Sequence, residues 1–159
     1  MTAQRKSIQK KHHARLAAAQ ALYSHSLEPT KRGAASLAAM MMEQWADSKS
    51  NQDHALPADA MPDAPLLEAI LDSALEHKDR IATAVDALIL PGWSRERMSE
   101  VLLAILQAAG GEALSSRNTP RPVIIDQYVD VAGSLLADDE TAYVHKALNL
   151  LLDTLQENG

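Results

Sequence analysis

The chain has 159 residues, 15 Lys/Arg against 21 Asp/Glu for a net charge of −6, 47% hydrophobic and 3% aromatic residues, and neither Cys nor Phe. Without cysteine, disulfide frameworks and thiolate metal sites are excluded and a reducing compartment is permitted. No apolar run approaches the roughly 18 residues of a membrane span. A single helical domain over residues 1–159, closely packed through Leu, Ala, Val, Ile and Met, is therefore expected.

Charge is divided unevenly along the chain. The first 32 residues hold seven cations (Arg5, Lys6, Lys10, Lys11, Arg15, Lys31, Arg32) and one acid, Glu28, whereas the remainder holds eight Lys/Arg against twenty Asp/Glu. A basic segment on an acidic chain points to a polyanion at one end and a different partner for the rest.

In chain order, residues 1–7 are polar and read as a frayed basic tail. Leu16, Ala19, Leu22 and Tyr23 then recur at spacings of three and four, predicting a helix from Ile8 to Leu27 that Glu28-Pro29 ends. A second helix is predicted over 33–47, with Leu37, Met41, Gln44 and Trp45 on its buried side. Residues 48–65, with Pro57, Pro62 and Pro65, read as a mobile polar loop. One long helix is predicted from Leu66 to Leu90, carrying Leu67, Ile70, Leu71, Ala74, Ile81, Val85 and Leu88 and stopped by Pro91-Gly92. Ser94 reads as the cap of the next helix, to Ala109, weakened at its end by Gly110-Gly111. Pro122 opens another helix to Leu136. Its β-branched residues (Val123, Ile124, Ile125, Val129, Val131) allow a strand, but Asp126, Gln127 and Asp130 fit one helical face better. Asp138-Asp139-Glu140 complements the dipole of a last helix, whose buried stripe is Val144, Ala147, Leu148, Leu151, Leu152 and Leu155. The expected fold class is all-α, with about seven helices.

The basic helix reads either as a phosphate-binding surface or as a solvated amphipathic face. Tyr23 could stack a base or fill the core. His12 and His13 are adjacent, point in different directions and have no carboxylate at i+3 or i+4, so no metal site is expected. Met40-Met41-Met42 reads as core filler, and the 138–140 acids as a helix cap or a contact for a basic partner. No nucleophile motif, Gly-rich phosphate loop or His-Glu-x-x-His is present. Neither an enzyme nor a cofactor is expected. With no apolar leader, the cytoplasm is the expected location.

Three collinear segments resemble the NusB family of bacterial transcription antitermination factors. The first is Ala14-Arg15-Leu16-Ala17-Ala18-Ala19-Gln20-Ala21-Leu22-Tyr23-Ser24. The second runs from Trp93 through Ile105-Leu106 to Glu112. The third is Arg121-Pro122-Val123-Ile124-Ile125-Asp126-Gln127-Tyr128-Val129-Asp130-Val131-Ala132, followed by an acidic loop and Val144-His145-Lys146-Ala147-Leu148-Asn149. The resemblance implies two small helical bundles packed on each other. It also implies binding to boxA-type leader RNA together with NusE, a small-subunit ribosomal protein, and attachment to elongating RNA polymerase. Carried over to this chain, the RNA-binding residues are Arg5, Lys6, Lys10, Lys11, Arg15, Gln20, Tyr23, His145 and Lys146. The partner-binding residues are Asp138, Asp139 and Glu140.

Departures from the family pattern fall at Gln107, Gly111, Ala113, Gln127, Gly133 and His145. Gln107 and Gln127, standing where the family has Arg and Glu, suggest an uncharged pair in place of a buried ion pair. The alternative reading is a diverged interaction module that has lost RNA binding or that self-associates into a homodimer. A third is a detached relative of the NusB-like domain of some rRNA cytosine methyltransferases, able only to assist such an enzyme.

Overall fold

A computed structural model describes residues 3–27, 32–50, 60–88 and 98–157. They form seven helices: α1 (Ala3–Leu27), α2 (Ala34–Ser50), α3 (Ala64–Glu76), α4 (Lys78–Asp86), α5 (Glu100–Leu114), α6 (Arg121–Leu135) and α7 (Asp138–Glu157). Among the described residues there is no strand, and no helix is long and apolar enough to cross a membrane.

Helices α1, α2 and α3 pack as one bundle and α4 to α7 as a second, joined chiefly where α5 lies against α1 and α3. The second half of α1 is buried on several sides: Ala14, Ala17, Ala18, Ala19, Ala21 and Leu22 are all in the core. Small side chains allow this, because an Ala-rich helix can be approached closely by three neighbours at once. The expected stripe of α7 is buried in full, from Val144 to Leu155.

The helix ends follow local chemistry. The Asp63 carboxylate accepts from Leu66 N at 3.0 Å and caps α3, and Pro65 occupies its first turn. Ser99 Oγ accepts from Leu102 N at 3.1 Å and caps α5, while donating to Glu140 Oε2 at 2.7 Å. Pro120 precedes α6, and Pro122 lies in its first turn.

Several expectations are corrected. Helix α1 begins at Ala3, ahead of the expected Ile8: Ala, Gln, Arg and Lys are strong helix formers that extend a helix already anchored downstream. The 48–65 segment is shorter than expected, since α2 runs to Ser50 and Asp63 already caps α3; residues 51–59 lie outside the described residues, as do Trp93 and the Ser94 cap. The single helix from Leu66 breaks at His77, whose backbone (φ −102, ψ 23) separates α3 from α4. No Gly or Pro dictates this break. α3 packs on α1, α2 and α5, whereas α4 packs on α5 and α7, so the two halves answer to different neighbours. Gln44 is exposed.

Gly110 and Gly111 lie inside α5 and are buried; they do not weaken its end. A Cβ on Gly111 would stand 2.7 Å from Ala74 Cβ and 2.9 Å from both Ala74 N and Ile70 O. The glycine is what lets α5 press against the backbone of α3.

Candidate nucleic-acid interface

The first two turns of α1 stand clear of the core. Residues 3–9 are exposed, Arg5 and Lys6 among them, and Lys10 and Lys11 are half-buried where the helix meets the body. Lys10 O accepts from Asp63 N at 3.0 Å, which pins α1 to the start of α3. A step of about 100° per residue puts Lys6 and Lys10 on one side of the helix and Lys11 on another, beside Ile8 and Arg15.

Arg15 is not part of the exposed surface. It is 5% exposed and grips Glu112 with two hydrogen bonds, Nε to Oε1 and Nη2 to Oε2, both 2.8 Å. Tyr128, fully buried, donates its hydroxyl to Glu112 Oε1 at 2.8 Å. One buried cluster thus joins α1, α5 and α6. The Arg15 guanidinium is committed to a carboxylate inside the protein, in the fork geometry Arg favours.

The charges in the cluster support one another. Burial opposes the Glu112 carboxylate, but hydrogen bonds and charge from Arg15, with Thr119 and Tyr128, bring it below its ordinary value of 4.5. Burial likewise opposes the Arg15 charge, and Glu112 overrides it, holding the guanidinium above its ordinary value. Burial, reinforced by the Glu112 charge, pushes the Tyr128 phenol well above 10.0. A carboxyl with a depressed folded pKa adds stability that is present above the ordinary value and lost as pH falls through the folded one. Acid unfolding is therefore expected to set in below about pH 4.5, and denaturant titrations from pH 7 to pH 3 should show that Glu112→Gln has the flatter profile. Parallel profiles would separate acid unfolding from this cluster.

Gln20 Oε1 accepts from Trp45 Nε1 at 3.1 Å, tying α1 to α2. Tyr23 is half-buried against the core. Neither is displayed freely beside the lysines. His145 and Lys146 are exposed on α7, and His145 Nδ1 lies 3.3 Å from Asn149 Nδ2. α7, which carries them, packs chiefly on α4, α5 and α6. Asp138 and Asp139 are exposed at the start of α7, while Glu140 faces the α5 cap.

The expected Gln107–Gln127 pair does not form. Gln127 Oε1 lies 3.3 Å from His12 Nδ1, and Gln107 borders a separate apolar cleft with Leu22, Ile81 and Leu103. The buried ion pair is Arg15–Glu112. Sequence reasoning gave Glu112 and Tyr128 no role beyond motif positions, although a signal existed. Glu112 is the single charged residue between Glu100 and Arg117, and Arg15 the single Lys, Arg, Asp or Glu between Lys11 and Glu28. Lone charges in apolar helices of one fold are natural partners.

The NusB family model matches residues 12–148. The chain belongs to the NusB family. Similar relatives include the transcription antitermination protein NusB of Sphingopyxis alaskensis, 30% identical over 92% of this chain and 94% of its own length. A protein of the same name from a Bradyrhizobium species is 29% identical over 87% of this chain and 78% of its own length. T. maritima NusB superposes with a TM-score of 0.65, covering 90% of each chain at 20% identity. That structural likeness supports the all-α NusB fold; the family-like segments quoted above from α1, α5 and α6 contain Arg15, Glu112 and Tyr128, which build the buried cluster.

Proposed function

We propose that the chain is a non-enzymatic, cytoplasmic antitermination factor that binds boxA-type RNA jointly with NusE and acts on elongating RNA polymerase. The observation that carries the RNA part is the exposed cationic end of α1, where Arg5, Lys6, Lys10 and Lys11 gather on an otherwise acidic protein. These side chains replace condensed counterions on the phosphates, so affinity depends steeply on salt. His145 and Lys146 form a second patch for the strand, and Asp138 and Asp139 face a basic protein partner. Arg15, Gln20 and Tyr23 position α1 and do not grip phosphates themselves.

Fluorescence titration with boxA-type RNA, with and without NusE, tests this reading. Replacing Lys6, Lys10 and Lys11 together by Glu is expected to cut affinity at least about tenfold and to flatten the slope of log affinity against log salt by about 2. Unchanged binding in the triple variant would remove the α1 end from the interface.

A second reading, an interaction module without RNA binding, draws support from the internal engagement of Arg15 and Gln20. Pull-down of NusE with and without nuclease separates the two.

A further inference from the structure

Between α1 and the turn joining α5 to α6 lies a groove of about 320 Å³, with Ile8, Lys11, Arg117, Asn118, Val123 and Gln127 on its banks and the buried Arg15 at its floor. Two independent observations mark it as a binding surface. First, the exposed large hydrophobic side chains among the described residues are Ile8, Leu27 and Val123, and two of them, Ile8 at 53% and Val123 at 40%, border this one groove from different helices. Water on two apolar side chains that face a common recess is a cost that an occupant relieves. Second, Lys11 on α1 and Arg117 on the turn face it from opposite banks, and among the described residues neither forms an ion pair.

The carboxylates that act on Arg15 at the floor are already engaged. Glu112 holds the guanidinium itself, and Asp63 caps α3 through Leu66 N. The groove therefore presents two uncompensated cations around an internally neutralised base, so an anionic occupant is favoured. Lys6 and Lys10 lie on the same helix, on another side from Lys11. Two aliphatic side chains beside the cations suit the ribose and exposed base of an unpaired nucleotide, whereas bases within a duplex are shielded from such contact. The left-handed backbone of Asn118 (φ 56) turns the chain back toward α6, leaving Arg117 at the rim.

Resting on the RNA-binding reading above, we propose that this groove holds one nucleotide of a single-stranded RNA. Its phosphate lies between Lys11 and Arg117, and its sugar and base lie against Ile8 and Val123. Arg117 thereby becomes an RNA-contacting residue on the α5–α6 turn, far in sequence from the basic first helix.

The test is a salt series of titrations with a labelled single-stranded boxA-type oligonucleotide against wild type, Arg117→Ala, Val123→Ser and Lys78→Ala. Lys78 borders the separate apolar cleft and gives the same loss of charge. Circular dichroism confirms that each variant is folded. Arg117→Ala is expected to weaken binding roughly fivefold and to flatten the salt slope by about 0.7, as for one lost phosphate contact on a single strand. Val123→Ser should weaken binding with the slope unchanged. If Arg117→Ala behaves as Lys78→Ala does while wild type binds, the groove is not a subsite, and the RNA-binding reading stands. If wild type fails to bind the oligonucleotide even at low salt with NusE present, both fall together.

Discussion

Arg15→Ala is expected to destabilise the protein by about 3–5 kcal/mol, because it strands a carboxylate that water cannot reach. The Glu112 side chain is 0% exposed and receives two hydrogen bonds from Arg15 and one from Tyr128. Losing the cation leaves two of those bonds unmade and the charge uncompensated. For a protein of this size the loss lowers the melting temperature by roughly 6–20 °C. Arg15→Glu is worse, since it sets two carboxylates against each other inside the core. Arg15→Met combined with Glu112→Leu should recover most of the lost stability, because removing both charges removes the desolvation cost of both. Urea unfolding of the single and double variants measures the coupling. A single-variant loss below about 1 kcal/mol would mean that the pair is solvated in solution.

Gly111→Ala is the second large effect, and its sign runs against helix propensity. Alanine inside a helix is ordinarily more stable than glycine by about 1 kcal/mol. Here the new methyl would sit 2.7 Å from Ala74 Cβ and 2.9 Å from two backbone atoms of α3. Backbone cannot step aside as a side chain can, so α3 and α5 must separate, at an expected net loss of roughly 1–3 kcal/mol. Gly110 provides the control within the same helix. The three atoms nearest a methyl there all belong to the Ile81 side chain, at 3.2–3.3 Å, and a side chain yields by a few tenths of an ångström more readily than backbone. Gly110→Ala should therefore cost less than Gly111→Ala in denaturant unfolding. Equal effects at the two positions would mean that the α3–α5 approach is looser than described.

The buried cluster and the Gly111 crossing together explain how NusB-like packing is held in a chain without Phe. α3 and α5 approach closely at Gly111, and the α1–α5–α6 junction is specified by a hydrogen-bonded charge pair. The same cluster positions the basic segment, for α1 enters the core at Ala14 and Arg15 and leaves its preceding turns projecting. Stability and the candidate interface therefore meet on one helix, with the division between them falling near Lys10 and Lys11.

Much of this architecture was legible in the residues. The 3.6-residue period gave α7 and its whole buried stripe, Pro122 marked the first turn of α6, and the charge asymmetry marked the exposed end of α1. Positions whose role depends on a distant neighbour were not legible. Arg15 and Lys11 are both cations on one helix four residues apart, yet one is sealed against Glu112 and the other borders an open groove. The glycine pair read as a helix end because the approach of α3, which favours glycine there, leaves no mark in the local pattern.

Periodicity, composition and charge patterning determined by themselves that this chain is all-helical, which faces turn inward, and that its basic end is its first helix, since each follows from interactions within a few turns. Tertiary structure alone decided where α3 breaks from α4, which arginine is core and which is rim, and that the α5–α6 turn comes to lie beside α1. These depend on contacts between residues far apart in the chain, such as the 97-residue separation of Arg15 and Glu112; burial makes such contacts strong, and no local pattern records them.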